Sequence, residues 1–457
     1  MSAPDTVSEV IPENELGWLG IIRIGLVQLA LGSIVVLTTS TLNRVMVVEL
    51  ALPAMLPGAL VGLHYAIQIL RPRWGYGSDV GGRRTPWIIG GMFVLGVGGV
   101  LAAASTGIME TSLMLGVALA VAAFTLIGCG VGAAGTSLLV FLAVRVRARR
   151  RAAAATIVWL MMIAGIAVTA GVAGHLLDPF TFDRLVVVTA VVSAFAFLMT
   201  IVAIWRLEGK SAAVRHTPKL QDQNQPGFMH AVRDIWNEPK SRHFAVFVFA
   251  SMLAYSAQDL ILEPFAGAVF GMTPGESTKL SGVHHGGVFV GMILVALLGT
   301  GFGKGRFGSM RVWTVGGCIA SAVAHTSLAL AGSIGPTFPL VPAVFFLGVA
   351  NGTFAVAAIG SMMGLVRSGK ENREGTRMGV WGAAQALAFG IGGFIGTMVL
   401  DGVRFVSGSP ETAFAAVFAL EAALFVVSAK LALGVSKAGR DDALGMPAQP
   451  RTRLSNV

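Results

Sequence analysis

Long apolar stretches alternate along this chain with short runs of charged and small polar residues. A helix needs about 20 apolar residues to cross roughly 30 Å of hydrocarbon. Twelve stretches approach or exceed that length, at 18–48, 53–71, 86–107, 112–143, 154–176, 184–206, 242–271, 275–303, 311–333, 338–366, 377–400 and 411–435. Several are longer than a bilayer requires, which predicts tilt or helix that continues beyond the hydrocarbon.

The polar intervals divide into two kinds. Those after the second, fourth, sixth, eighth and tenth stretches are rich in Lys and Arg, as in Arg71, Arg73, Arg83 and Arg84, or Arg145, Arg147, Arg149, Arg150 and Arg151. The alternate intervals hold little beyond Arg44, Arg184, Lys279 and Arg404. Positive charge collects on the cytoplasmic side, so the basic loops and both termini are expected there. The longest polar segment, 207–241, separates six stretches from six and reads as a cytoplasmic linker. The expected organisation is an N-terminal segment 1–17, a six-helix half 18–206, the linker 207–241, a second half 242–435 and a polar tail 436–457. The first 17 residues carry Asp5, Glu9, Glu13 and Glu15 and do not read as a cleavable signal.

Composition agrees with a membrane chain. Hydrophobic residues make up 54%, charged residues 12%, and mean hydropathy is +0.76, against about 25% charged in soluble domains. The net charge of +10 lies in the loops, so it is a topology signal and not a nucleic-acid footprint. The 59 glycines suit closely packed membrane helices, among them Gly128-x-x-x-Gly132 and Gly392-x-x-x-Gly396, for which packing within the monomer is expected. Cys129 and Cys318 sit apart in apolar runs, so neither a disulfide nor a protein-bound metal cluster is expected. No soluble segment carries a P-loop, a Rossmann glycine pattern or a nucleophile–base order, and no enzymatic activity is expected.

Between the second and third stretches lies Gly75-Tyr76-Gly77-Ser78-Asp79-Val80-Gly81-Gly82-Arg83-Arg84. Gly75, Asp79, Gly82, Arg83 and Arg84 resemble the loop signature of the major facilitator superfamily, in the loop where that signature belongs. The resemblance implies an all-α membrane protein of twelve transmembrane helices in two six-helix halves, with this loop bracing a cytoplasmic gate. The second half has a weak echo in Gly301, Gly305 and Gly308, with no acid corresponding to Asp79. The fourth stretch has no charge and the fifth no proline, so the pattern of many proton-driven drug exporters is missing.

Ionisable groups inside a membrane are costly and point to a partner or a cavity. Asn43, Arg44 and Glu49 lie at the end of the first stretch, and Gln258, Asp259 and Glu263 at the corresponding end of the seventh. Asp259 and Glu263 share a helix face, where like charges repel, and Arg44 is the counter-charge candidate by pseudo-symmetry. Pro264 removes a donor and clashes with the carbonyl of Leu260, which predicts a bend. A plainer alternative places both acids among headgroups.

Four segments, Leu42–Leu50, Tyr255–Phe265, Leu280–Gly287 and Trp381–Ala386, together resemble the PucC/LhaA family of phototrophic bacteria. "QDLILEP" and "WGAAQA" are the most specific strings, and the resemblance covers roughly 16–435. It implies an inner-membrane or intracytoplasmic photosynthetic-membrane factor that delivers bacteriochlorophyll, or a late precursor, to light-harvesting complexes. The implied partners are the lipid bilayer, the pigment, light-harvesting or reaction-centre antenna polypeptides and pigment-synthesis enzymes. Under that reading the neutral imidazoles of His284, His285 or His64 are candidate axial ligands for the pigment's magnesium. Each has glycine nearby to admit a flat macrocycle, with His325 a lesser candidate. A histidine bonding a neighbouring helix is the commoner use. Two other functions stay open: a proton-coupled small-solute transporter working through the acids, and a scaffold for nascent antenna polypeptides.

Overall fold

The computed structural model describes residues 15–71, 74, 83–208, 233, 236–237, 239–300, 310–367 and 374–443. Within them the chain forms twelve helices and no strand. They are α1 Trp18–Glu49, α2 Met55–Leu70, α3 Thr85–Thr111, α4 Leu113–Arg145, α5 Ala148–Leu176 and α6 Phe182–Ile204, then α7 Pro239–Phe270, α8 Pro274–Thr300, α9 Met310–Ile334, α10 Leu340–Arg367, α11 Glu374–Ser407 and α12 Pro410–Ala443. Eleven hold stretches long and apolar enough to cross a membrane, and α2 is shorter. Most of the linker and both chain ends lie outside the described residues, as do Gly75, Asp79 and Gly82 of the loop motif.

Local sequence explains where the helices begin and end. Pro86, Pro239, Pro274 and Pro410 stand in the first turns of α3, α7, α8 and α12, where a missing N–H costs nothing. Gly271, Gly335 and Gly408 follow α7, α9 and α11 with φ of +67°, +74° and +67°, the left-handed conformation that stops a helix. α1 contains two wide turns of π type, at Leu37–Thr41 and Val45–Glu49, with three α-helical residues between them.

The first half builds its core from α1 to α6 and the second from α7 to α12. α2 packs on α11, α5 packs on α8, and α1 meets α7, which gives a two-fold-like seam between the halves. Close approach at the seam depends on small residues: a Cβ on Gly58 would meet the Thr397 side chain at 2.2 Å, and one on Gly174 would meet the Gly275 carbonyl at 2.6 Å. Gly128 and Gly392 pack inside their own halves, against α2 and α7. The outer surface is apolar, with Met114, Val168, Phe195 and Val202 exposed as a lipid-facing wall would require.

Candidate functional site between the two halves

The seam between α1 and α7–α8 is polar although it is buried. Ser40 Oγ donates to Glu263 Oε1 at 2.6 Å, and Ser277 and Thr278 hydroxyls donate to Glu263 Oε2 at 3.5 and 3.4 Å. Ser40 also lies 3.4 Å from Ser281, and Thr41 lies 3.1 Å from Thr278. Pro264 cannot supply the N–H that would close the helical bond to the Leu260 carbonyl, and Asn43 Nδ2 of the other half donates to that carbonyl at 2.5 Å. The helix passes through Pro264 without interruption. The vacancy expected from the proline is thus filled by a bond across the seam.

Arg44 is not the direct counter-charge of Asp259 or Glu263. Its guanidinium, only 2% exposed, pairs with Glu49 one turn further along α1 and donates to the Met272 carbonyl at 2.6 Å. Electrostatically it remains within reach of Glu263. Two more links close the same end of the bundle. Asp401 on α11 accepts from the backbone N–H groups of Ala54 and Met55 at the start of α2, at 3.0 and 2.7 Å. Asp178, after α5, accepts from Thr273 at 2.9 Å and lies 3.3 Å from Lys279 Nζ. Polar bonds thus tie the halves in the middle of the seam and at the end with the short connections. Two cavities of about 980 and 760 Å³ open at this end, the second lined by Arg44, Glu49, Asp178 and Glu276.

Asp259 and Glu263 share a helix but divide between two environments. The ligand atoms of Asp259, His284 and His285 lie within 4.8 Å of one another. Asp259 is half-buried and no described residue bonds it. Tyr65 on α2 and Tyr255 on α7 lie within its electrostatic reach. Both tyrosines flank Phe389 on α11, with ring centroids 5.4 and 6.0 Å away. A carboxylate and two imidazoles therefore stand beside an aromatic wall contributed by both halves.

Hydrogen-bond direction distinguishes the two imidazoles. Ser321 Oγ donates to Asn351 Oδ1 at 2.8 Å, and Asn351 Nδ2 donates to Gln258 Oε1 at 2.7 Å. Gln258 then has only its amide hydrogens to give, and its Nε2 faces His284 Nε2 at 2.8 Å. The lone pair of His284 Nε2 is consumed, so the neutral ring carries its proton on Nδ1. His285 differs. Its Nδ1 lies 2.9 Å from the Ser281 carbonyl, which can only accept, so Nδ1 carries the proton and Nε2 keeps a free lone pair. His285, 9% exposed, is the imidazole of this cluster equipped to ligate a metal.

His64 is placed elsewhere. It is buried on α2, and its backbone carbonyl faces Gly128 of α4. Its Nε2 meets the Gln68 amide at 2.9 Å, and the Gln68 carbonyl accepts from Arg71. Its ring lone pair is therefore also engaged. Of the loop motif, Arg83 is exposed and Arg84 precedes α3; Glu208 accepts from the Arg84 and Thr85 N–H groups at 2.7 and 3.0 Å and caps that helix.

Sequence reasoning missed Ser321, Asn351, Glu421, Asp178, Asp401 and Glu208. Glu421 and Asn351 carried a readable signal, as polar groups in mid-span. The others required knowledge of which helices adjoin.

The family model described as "PUCC protein" matches residues 41–439. The chain belongs to the PucC family. It is 52% identical over 420 residues to "Bacteriochlorophyll synthase 44.5 kDa chain" of Rhodobacter capsulatus, covering 92% of this chain and 96% of that one. It is 29% identical to "Protein PucC" of Cereibacter sphaeroides, covering 92% and 91%. Among solved structures it resembles a bacterial homologue of the human lysosomal transporter Spinster, crystallised in an inward-facing and occupied conformation. That match has a TM-score of 0.64 at 14% identity and covers 91% and 96% of the two chains. This PucC family member is thus a multi-pass, all-helical membrane protein with a major facilitator-like fold.

Proposed function

We propose that this PucC family member binds bacteriochlorophyll, or a late precursor, inside the photosynthetic membrane and hands it to light-harvesting complexes without changing it chemically. The observation that carries the reading is the free Nε2 lone pair of His285, set beside Asp259 and the Tyr65–Phe389–Tyr255 wall. A pigment with magnesium at its centre needs one axial donor and an apolar wall for its macrocycle; His285 would supply the donor, and the three rings, tilted by 39° and 62° to one another, would supply the wall. His284 serves as a fixed neighbour that hydrogen-bonds Gln258. The relative named for bacteriochlorophyll synthase supports the pigment class, and the half-to-half position of the site is where transporter folds hold their cargo. Antenna polypeptides would receive the pigment at the lipid-facing surface, with both termini in the cytoplasm.

The test is the absorption spectrum of detergent-purified protein from a phototrophic host, with His285→Ala and His284→Ala compared separately. Pigment is expected with the wild type, lost from His285→Ala and retained, with a shifted band, in His284→Ala. Equal retention in both variants would discard the ligand assignment, and absence from all three would discard pigment binding. A second reading, proton-coupled transport of a small solute, is favoured by the Asp259 carboxylate in the seam, which no described residue bonds. It predicts pH-dependent uptake into vesicles that Asp259→Asn abolishes.

A further inference from the structure

Outside the cargo-facing cluster, the second half holds another pair of ionisable side chains that the pigment reading does not use. His325 on α9 and Glu421 on α12 are 0% and 1% exposed, and His325 Nε2 lies 3.3 Å from Glu421 Oε2. Aromatic rings surround them: His325 stacks on Phe425 at 5.3 Å and lies 6.3 Å from Phe418. His325 Nδ1 lies 2.7 Å from the Ser321 carbonyl, which can only accept, so that nitrogen carries a hydrogen. In a neutral ring Nε2 is then a bare lone pair, and it faces a carboxylate oxygen. Among the described residues, neither Glu421 oxygen nor His325 Nε2 has a hydrogen-bond partner. Two acceptors cannot face each other in an apolar interior without a donor between them.

We propose that His325 and Glu421 form a buried binding site for one exchangeable proton, and that the packing of α9 on α12 seen here is its loaded state. The proton lies in the gap, on the carboxyl or on the imidazole, and on release it passes to water. What remains is an ionised carboxylate beside a lone pair, with no donor, so the two helices must part to admit water. Among the described residues, the titratable groups facing the pair are Asp259 on α7, within electrostatic reach of Glu421, and His284 on α8, within reach of His325. The nearest polar group on α10 is the neutral Asn351, bonded to Ser321. Through Ser321, movement of α9 pulls on the Asn351–Gln258–His284 chain and so on the face that carries Asp259 and His285. Proton occupancy is thereby coupled to the cargo site, whatever the cargo is.

The test uses the full-length protein in lipid nanodiscs. At neutral pH one of two signals is expected: a protonated-carboxyl infrared band lost in Glu421→Gln, or an imidazolium in ¹⁵N spectra lost in His325→Gln. Both substitutions keep a donor in the gap, so both proteins are expected to fold. An ionised Glu421 beside a neutral His325 would overturn the proposal. Spin labels at positions 323 and 427, on the exposed faces of α9 and α12, read the coupling in a background lacking Cys129 and Cys318. Their separation is expected to increase on alkalinisation in the otherwise unaltered protein and to stay constant in Glu421→Gln. An identical response in both, or none in either, would defeat the coupling.

Discussion

The interior of the first half is held by alanine, glycine and aliphatic side chains, and several of its buried hydroxyls turn inward on their own helices. Ser105, Thr106 and Thr200 donate to carbonyls three or four residues back. Its side-chain chain His64–Gln68–Arg71 runs along a single helix. In the second half, by contrast, His284, Gln258, Asn351 and Ser321 join α8, α7, α10 and α9, and His325 continues the line to Glu421 on α12. Both halves have the same six-helix plan, yet one confines polar groups locally and the other uses them to tie five helices together. In a medium without water an unpaired polar group is expensive, so the second arrangement fixes helix positions more strictly than apolar packing does. The comparison suggests a division of labour: a passive first half against which a chemically sensitive second half works.

The sharpest way to break this contrast is to make the second half apolar. His325→Leu alone leaves a buried acid unpaired and is expected to cost about 3–5 kcal/mol in thermal unfolding, whereas His325→Leu with Glu421→Leu should recover most of it. Equal losses in the single and double variants would show that the pair is ordinary packing. A smaller effect is expected from Asn351→Leu, which strands Ser321 and Gln258 at a cost of about 1–3 kcal/mol. The matching first-half change, Ser137→Ala, removes a hydroxyl without a partner among the described residues and should stay within about 0.5 kcal/mol. The seam gives a signal between those two. Asn43→Ala should lose about 1 kcal/mol where Pro264 leaves the Leu260 carbonyl open, and clearly less in a Pro264→Ala background. Additive behaviour in that double-mutant cycle would remove the proline from the account.

Much of the fold could be read from the sequence, because hydrocarbon thickness imposes a length on every span and the loops alternate in charge. The seam residues Asn43, Arg44, Gln258, Asp259 and Glu263 were recognisable as polar groups out of place. Their pairing was not. A four-residue spacing put Asp259 and Glu263 on one face with one shared cation, but α7 stands between two neighbours: Glu263 meets the hydroxyls of α1 and α8, and Asp259 joins the imidazoles of α8. The rotation of each helix about its axis decides this, and one sequence does not record it. Nor could His284 be separated from His285 by position, since the difference lies in which acceptor or donor each ring meets. Glu421 was hidden by the apolar average of its span, although a lone acid in that place was itself the clue.

The two wide turns of α1 bear on how the seam can change. Each winds one residue more than an ordinary turn into the same helix, so α1 carries surplus chain that is stored inside it and not looped out. Such a defect resembles a dislocation in a crystal. When it glides by a turn, a short stretch of side chains rotates about the axis while both ends of the helix stay where they are. Ser40, Thr41, Asn43 and Arg44 lie within or between the two defects. The residues that hold the halves together are therefore mounted on the part of α1 that can exchange register without any change in length.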